Sequence, residues 1–282
     1  MWVILPPHKA FGGDGCTMSS TYTATDADAY ERLMGRWSRL LAEDFLAFAG
    51  IAPAERVLDL GCGTGALALA LAARAEPRSI LGIDIAERYV DHARRRATDP
   101  RLEFAVGDAV ALDFADGSFD RSLSLLALNF VPEPARALAE MRRVTRRGGI
   151  VAAAVWDFAG GLVYQRIFWD TAAALDPEAD RARARHFSSP LTRASELEAG
   201  FAAAGLLDVE SRMLTIRMRY ASFADYWQPI ANAQGPVGDY VKRLPAPALA
   251  TLAAAVERAY RAGGADGPRS MVATAWAAKG RV

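Results

Sequence analysis

Two kinds of hydrophobic pattern alternate along the first half of the chain. Short runs that are apolar at nearly every position are typical of strands buried on both faces of a parallel sheet. Such runs predict strands over residues 56–60, 79–84, 102–106, 120–128 and 149–156. Between them, apolar residues recur every three or four positions and predict helices over 66–75, 86–97 and 134–145. The alternation predicts a doubly wound α/β sheet.

The pattern is different at the two ends of the chain. Residues 26–50 have helical periodicity, whereas residues 1–20 predict an unstructured leader ahead of a single domain over 21–282. After Trp156 the pattern loosens, and a charged stretch over 176–185 interrupts it. A helix over 194–204 and strands over 208–218 and 270–278 follow. The long segment between these two strands, about 220–265, predicts an inserted helical cap.

Composition narrows the class of protein. The chain has 282 residues, 52% of them hydrophobic, which is enough for one well-buried core. Its 33 basic and 33 acidic side chains balance, so no overall field attracts nucleic acid or an anionic membrane. No apolar run has the length of a membrane span. Cys16 and Cys62 lack partners at metal-ligand spacing, and the sequence predicts a cytoplasmic protein without a metal.

The strand over 56–60 runs into three glycines, Gly61, Gly63 and Gly65, just before a helix. Glycine permits positive φ and lets a ligand lie against the backbone, and the helix N-terminus offers free N–H groups. A tight turn needs only one glycine, so this loop predicts a binding site at the carboxyl edge of the sheet. The letters GCGTGA also fit the dinucleotide pattern, which leaves a nicotinamide enzyme as an alternative.

Three acidic residues bear on that alternative. Asp84 ends the next strand, where it could bind a ribose diol, a group that both ligand classes carry. Asp59 precedes the glycines and could pair with a ligand ammonium, whereas it would repel a pyrophosphate. Asp108 follows the third strand and could accept from an adenine amine. Asp84 therefore does not decide between the classes, whereas Asp59 and Asp108 favour an adenosyl ligand that carries an ammonium group.

Four segments carry a family resemblance: VLDLGCGTG, GID, GDAVALDFADGSFD and EMRRVTRRGGIVAAAVW. In this order they resemble the class I S-adenosylmethionine-dependent methyltransferases, and they are similar to the small-molecule enzymes of quinone biosynthesis. The likeness extends over about residues 30–156. It implies a Rossmann-like, seven-stranded sheet whose last strand is antiparallel. It also implies S-adenosylmethionine as cofactor and a small-molecule methyl acceptor, rather than nucleic acid, as partner.

The resemblance further implies which residues bind the cofactor. Those expected around its methionine portion are Asp59, Gly61, Cys62, Gly63 and Thr64. Those expected around its ribose and adenine are Asp84, Ile85, Asp108 and Ala109. Leu125 would lie near the methyl group, at a position that is often small or polar in the family. Tyr30 and Arg39, in the N-terminal helices, would close over the cofactor.

The sequence indicates the residues that bind the methyl acceptor less clearly than those that bind the cofactor. A sulfonium methyl group needs no acid to leave, so a base is required only where the acceptor must lose a proton. His186 is a candidate base, although its position in the variable segment favours a surface loop, and Asn129 could orient a hydroxyl or amine. Aromatic residues that either pack in the core or line a pocket are Trp156, Phe158, Tyr164, Phe168, Trp169, Phe223, Tyr226 and Trp227. A non-catalytic module that senses S-adenosylmethionine remains a second alternative.

Overall fold

A single sheet of seven strands organises the protein. The computed structural model describes residues 26–233 and 235–282, so the predicted leader over 1–20 lies outside the described residues. The strands are β1 (Arg56–Leu60), β2 (Ser79–Asp84), β3 (Leu102–Val106), β4 (Phe119–Leu125), β5 (Thr145–Trp156), β6 (Leu207–Tyr220) and β7 (Arg269–Arg281). They lie in the order β3-β2-β1-β4-β5-β7-β6. The first five are parallel, and β7 runs antiparallel to β5 and β6, so the expected fold class is confirmed.

Helices cover both faces of this sheet. They are α1 (Ala27–Tyr30), α2 (Arg36–Ala49), α3 (Ala66–Arg74), α4 (Glu87–Arg96), α5 (Pro134–Val144), α6 (Val163–Leu175), α7 (Pro177–Phe187), α8 (Ala194–Ala203), α9 (Phe223–Ala231), α10 (Gly235–Val241) and α11 (Ala246–Arg261). A π-helical turn, Glu31–Gly35, joins α1 to α2. Helices α9 to α11 occupy the segment between β6 and β7. Their behaviour as a cap stays a prediction.

The core has two parts, one on each face of the sheet. Val57 of β1 packs into a cluster shared with α2, α3 and α6, whereas its neighbour Leu58 packs into a cluster shared with α5 and α8. Both side chains are fully buried. Because successive side chains of a strand point to opposite faces, a strand covered on both sides has no polar face. This two-sided burial explains why β1 reads as an uninterrupted apolar run.

The chain leaves β4 earlier than its apolar run suggests. The strand ends at Leu125, not at residue 128, because Leu126 adopts a φ of 63°. Its N–H still donates to the carbonyl of Ala154 on β5, at 2.7 Å, and a 3₁₀ turn over Leu128–Phe130 follows. A bulky residue in the left-handed region is strained, and such strain is common beside functional sites. The turn directs residues 125–131 along the carboxyl edge of the sheet.

The charged stretch over 176–185 is a helix, and its interpretation as an interruption was wrong. Helix α7 begins with the Asp176 carboxylate accepting from the N–H of Glu178, at 2.9 Å, and with Pro177 in its first turn. Both features stabilise a helix start. Its charged residues face solvent, while Ala179 and His186 are buried. Burial of one narrow face is enough to hold a helix whose sequence is mostly polar.

No helix in the described part of the chain is long and apolar enough to cross a bilayer.

Candidate active site at the carboxyl edge of the sheet

A cavity opens at the carboxyl ends of β1, β2, β3 and β4. The strand order reverses between β1 and β4, which is where open α/β sheets bind ligands. One part of the wall, the polar half, comprises Asp59, Gly61, Cys62, Gly63, Thr64, Asp84, Ile85, Asp108 and Ala109. The other part, the aromatic half, comprises Phe130, Trp156, Phe158, Tyr164, Gln165, Phe168, His186, Ile230, Pro236 and Val237. Leu125 and Tyr30 also line the cavity, so one continuous space joins the two halves.

The glycine loop between β1 and α3 is held against β2. The N–H groups of Gly61 and Cys62 both donate to the carbonyl of Ile83, at 2.7 and 2.9 Å. Gly61, Gly63 and Gly65 have φ values of 71°, 53° and 89°, so all three use the freedom that glycine provides. A side chain on Gly61 would collide with Cβ of Ala127, whereas one on Gly63 would meet no atom within 4 Å. Gly61 therefore permits close packing, and Gly63 leaves room in the cavity.

Asp59 places an unusual carboxylate beneath this loop. It is 1% exposed, and its Oδ2 accepts from the N–H of Ala68 at 3.2 Å. Its Oδ1 is buried and has no hydrogen-bond partner among the residues described. Burial raises the pKa of Asp59 to about 7, and the nearby Asp84 carboxylate adds to the rise. An orphaned carboxylate oxygen beside a cavity suits a ligand that brings a cationic donor.

Asp84 joins the end of β2 to the glycine loop. Its Oδ2 accepts from the N–H of Gly63 and its Oδ1 from the N–H of Ala86, both at 2.9 Å. Burial raises the pKa of Asp84, and these hydrogen bonds oppose the rise. Each carboxylate oxygen has a second lone pair, so Asp84 can still accept from a pair of ligand hydroxyls.

The ends of β2 and β3 form an apolar rim beyond Asp84. Ile85 is 39% exposed and Val106 is 49% exposed, although both are large hydrophobic residues. Asp108 lies just beyond, where its Oδ1 accepts from the N–H of Val110 at 3.0 Å. Aliphatic side chains beside a carboxylate can sandwich a flat ring and accept from its amine.

The N-terminal segment closes over the loop through a residue that the sequence analysis missed. Glu31, in the π-helical turn, accepts from the Thr64 hydroxyl and from Arg39, each at 2.5 Å. Burial raises the pKa of Glu31, but these two hydrogen bonds outweigh it and hold the pKa below its ordinary value. Arg39 itself is not among the residues that line the cavity. The role of Glu31 depends on partners that are distant in the sequence, so no local sequence signal could have found it.

The comparisons with known proteins decide the family. The family described as a methyltransferase domain matches residues 58–153. The malonyl-[acyl-carrier protein] O-methyltransferase of Geobacter sulfurreducens is 38% identical over 193 residues, which are 66% of this chain and 68% of that protein. This chain belongs to the class I S-adenosylmethionine-dependent methyltransferase family. The identification confirms the resemblance and removes the nicotinamide alternative, because this family's cofactor is S-adenosylmethionine.

One further relative and one solved structure of the same fold show how far the similarity extends. The demethylmenaquinone methyltransferase of Renibacterium salmoninarum is 39% identical over 119 residues, 40% of this chain and 45% of that protein. The chain spans about half the length of several curated relatives that it matches. Phosphoethanolamine N-methyltransferase 2 of Haemonchus contortus, solved with S-adenosyl-L-methionine, shares the fold. Its TM-score is 0.58 at 17% identity, over 90% of this chain and 56% of that chain.

The polar half of this family member fits the cofactor on observations of its own. The buried Oδ1 of Asp59 has no partner among residues 26–233 and 235–282, and the cofactor carries an ammonium group. A Cβ on Gly63 would meet no described atom within 4 Å, so the space above it is open to a ligand. Asp84 lies at the end of β2 with acceptor capacity left for a ribose. The charge, the free space and the hydrogen-bond acceptors of the polar half therefore all fit S-adenosylmethionine.

The aromatic residues that the sequence left undecided divide into two groups. Trp156, Phe158, Tyr164 and Phe168 line the cavity. In contrast, Trp169 and Tyr226 are fully buried core residues, and Phe223 stacks on Trp227 at a centroid distance of 5.9 Å, outside the cavity wall. The first group lies near the carboxyl end of β5, which explains why it faces the cavity.

The two acceptor-side candidates lie in different places. His186 was expected in a surface loop, and that expectation was wrong: it lies in the last turn of α7, is 7% exposed and lines the cavity. Asn129 is buried beside the cavity, yet the wall includes its neighbour Phe130 and not Asn129 itself. Neither amide atom of Asn129 has a partner within residues 26–233 and 235–282. The geometry thus brings His186, but not Asn129, to a position where it can touch an acceptor.

Proposed function

We propose that this chain transfers a methyl group from S-adenosylmethionine to a small neutral acceptor held against the aromatic half of the cavity. The observation that carries the proposal is the continuity of the cavity. A glycine loop with Asp59 and Asp84 forms one end, and an aromatic wall forms the other. A group bound at each end would bring two reactants together, and proximity and alignment are the main requirements of methyl transfer.

We assign the cofactor to the polar half. Asp59 would pair with its ammonium group, Asp84 would accept from its ribose hydroxyls, and Asp108 with Ile85 would bind its adenine. When bound, the cofactor supplies an electrophilic methyl group on a sulfonium. Leu125, buried in the wall where β4 ends, would exclude water from that methyl group. The protein's own contribution is to hold and align, because the leaving thioether requires no proton.

The aromatic half favours a neutral acceptor. Among its described residues there is no Lys, Arg, Asp or Glu. An acceptor carboxylate would lose its hydration there without gaining a cation, which costs several kcal/mol (order of magnitude). A flat apolar molecule would instead lie against Trp156, Phe158 and Phe168. Of the acceptors that the names of the two curated relatives indicate, a quinone-type ring suits this wall better than a free malonyl carboxylate.

A binding experiment and a turnover experiment test the proposal. Calorimetric titration should give micromolar dissociation constants for S-adenosylmethionine and S-adenosylhomocysteine, and no heat for NADH. Neutral phenols and amines, with carboxylates as the contrasting set, should then be assayed for release of S-adenosylhomocysteine. Turnover of neutral acceptors supports the enzyme. Binding without turnover of any acceptor favours the sensor, and absence of binding overturns both. The cytoplasmic location stays a prediction.

A pair of glycine variants separates ligand space from folding. Gly63→Ala should weaken cofactor binding at least 10-fold, because its Cβ enters the space assigned to the ligand. The strain at φ 53° costs about 1 kcal/mol, which lowers Tm by about 2–4 °C. Gly61→Ala should lower Tm further, since its Cβ collides with Ala127. Titration calorimetry and thermal melts measure both effects. Equal cofactor affinity in Gly63→Ala and the native protein would contradict the assignment.

A further inference from the structure

A directed chain of hydrogen bonds runs behind the aromatic half of the cavity. The hydroxyl of Tyr164 lies 3.1 Å from Sδ of Met34, which has no hydrogen to give, so Tyr164 must donate. The same hydroxyl then accepts from Nε2 of Gln165, at 3.0 Å. This orients the Gln165 amide so that its Oε1 faces Nε2 of His186, at 2.6 Å. Each bond in the chain fixes the direction of the next.

This series of hydrogen bonds determines which nitrogen of His186 carries the proton. An amide oxygen can only accept, so Nε2 of His186 must donate, and in the neutral ring Nδ1 has a lone pair. Phe158 holds the ring in place, at a centroid distance of 4.3 Å. Burial lowers the pKa of His186 to about 4, so the ring is neutral at pH 7. His186 and Gln165 both line the cavity.

The side chains that contact this ring among the described residues are uncharged, and the Arg166 guanidinium lies over the ring of Phe187, 5.0 Å from its centroid. The neighbours of the His186 ring are Phe158, Trp169 of α6 and Phe187 of α7, besides Gln165. On α10, the Tyr240 hydroxyl donates to the Asp176 carboxylate, at 2.9 Å. Burial alone accounts for the lowered pKa of His186. The ring is therefore neutral, and Nδ1 is its unprotonated nitrogen.

We propose that Nδ1 of His186 accepts the hydrogen bond of a hydroxyl or amine on the methyl acceptor and takes its proton during transfer. Gln165 is a positioning residue that fixes the ring through Nε2. The inference rests on the proposed function and narrows its acceptor class to neutral molecules that carry an O–H or N–H group.

The reaction balances with no further reactant. The acceptor's oxygen or nitrogen forms a bond to the methyl carbon while the sulfur–methyl bond breaks, and that electron pair stays on sulfur. The proton of the methylated group moves to Nδ1 and passes to water when the product leaves. A methylated hydroxyl that still holds its proton is a strong acid, so even a weakly basic imidazole can accept that proton. A methylated anilinium is only moderately acidic and gives its proton to His186 with little driving force.

A spectroscopic experiment tests the ring state without any acceptor. Long-range ¹⁵N–¹H spectra of histidine-labelled protein should show His186 with Nε2 protonated and Nδ1 unprotonated down to about pH 5. In Gln165→Glu, a carboxylate would face Nε2–H, and the titration of His186 should shift upward. A native His186 protonated on Nδ1, or already charged at pH 7, would overturn the inference.

Turnover of phenols and anilines tests the role. His186→Ala should lower kcat about 100-fold with less than a threefold change in S-adenosylmethionine affinity, and added imidazole should restore part of the loss. His92→Ala is the matched control, because His92 pairs with Asp28 outside the cavity wall. In Gln165→Glu, the acidic limb of kcat should move to higher pH with the titration.

The outcomes separate the two proposals. If the native protein binds no S-adenosylmethionine, the proposed function fails. If it binds and turns over an acceptor, but His186→Ala keeps native kcat, only the role of His186 fails. Turnover confined to carboxylates or carbon nucleophiles would also overturn it. Loss of folding in His186→Ala shows in the thermal melt, and the spectra of the native protein and Gln165→Glu then decide.

Discussion

Asp84→Ala is expected to weaken S-adenosylmethionine binding by about 100-fold or more. The carboxylate would accept two ribose hydroxyls, and hydrogen bonds to a charged group contribute about 1.5–3 kcal/mol each. A loss of roughly 3 kcal/mol corresponds to about a 100-fold change in dissociation constant. The variant also removes the acceptor for the N–H of Gly63, so the glycine loop keeps only its backbone hydrogen bonds to Ile83 as described links to β2. Calorimetric titration measures the loss directly.

Two further variants show whether the loss of cofactor binding arises at Asp84 itself. Asp84→Asn keeps one oxygen and can still accept from either Gly63 or Ala86, but not from both, so it should disturb folding less than alanine while still losing the charge. Asp91→Ala is the matched control, because Asp91 lies on the adjacent α4, outside the cavity wall, and pairs with the half-exposed Arg94. Binding by Asp84→Ala within threefold of the native protein would contradict the assignment of the ribose.

Much of the fold could be predicted because a strand that is buried on both faces has an uninterrupted run of apolar residues. Leu58 and Val57 face opposite clusters, so β1 could be identified from its apolar run alone. The glycines and Asp84 could be placed at one sheet edge because parallel strands share their carboxyl ends. These predictions depend on local sequence and on a topological rule. They need no knowledge of which side chains meet across the chain.

What could not be predicted depends on long-range contacts. Helix α7 is polar on most of its surface, and nothing in its own sequence shows that Phe158 and Trp169 cover His186. Arg39 was expected over the cofactor, but it pairs with Glu31, whose other oxygen accepts from Thr64 in the glycine loop. Such partners are set by how helices pack on the sheet. A charged residue's place in a site therefore cannot be inferred from its spacing.

Asp59→Asn is expected to stabilise the ligand-free protein at pH 8 while it weakens cofactor binding. Folding raises the pKa of Asp59 from 3.8 to about 7 through burial. A group whose pKa rises on folding contributes stability that is complete below pH 3.8 and lost as pH rises towards 7. The loss has a ceiling of about 4 kcal/mol. Asparagine never ionises, so the variant does not lose this stability as the pH rises.

Thermal melts at pH 4 and pH 8 check this, with the exposed Asp91→Asn as control. The Tm difference between variant and native protein should be small at pH 4 and positive at pH 8. The cofactor's ammonium should restore a charged Asp59, so binding at pH 6 should release protons in the native protein and none in the variant. Calorimetry in two buffers of different ionisation enthalpy measures that release. A variant that is no more stable at pH 8, or that releases protons as the native protein does, would contradict the prediction.

The two effects of this variant share one cause. Near neutral pH the ligand-free protein carries the cost of a buried carboxylate whose Oδ1 has no partner in the described structure. A cationic ligand removes that cost, so part of its affinity comes from relief of strain that folding imposed. Stability given up at a binding site in exchange for affinity is a common trade in enzymes. If Asp59→Asn gained stability yet bound the cofactor as tightly as before, the carboxylate would be an uncompensated defect and the ammonium would have to bind elsewhere.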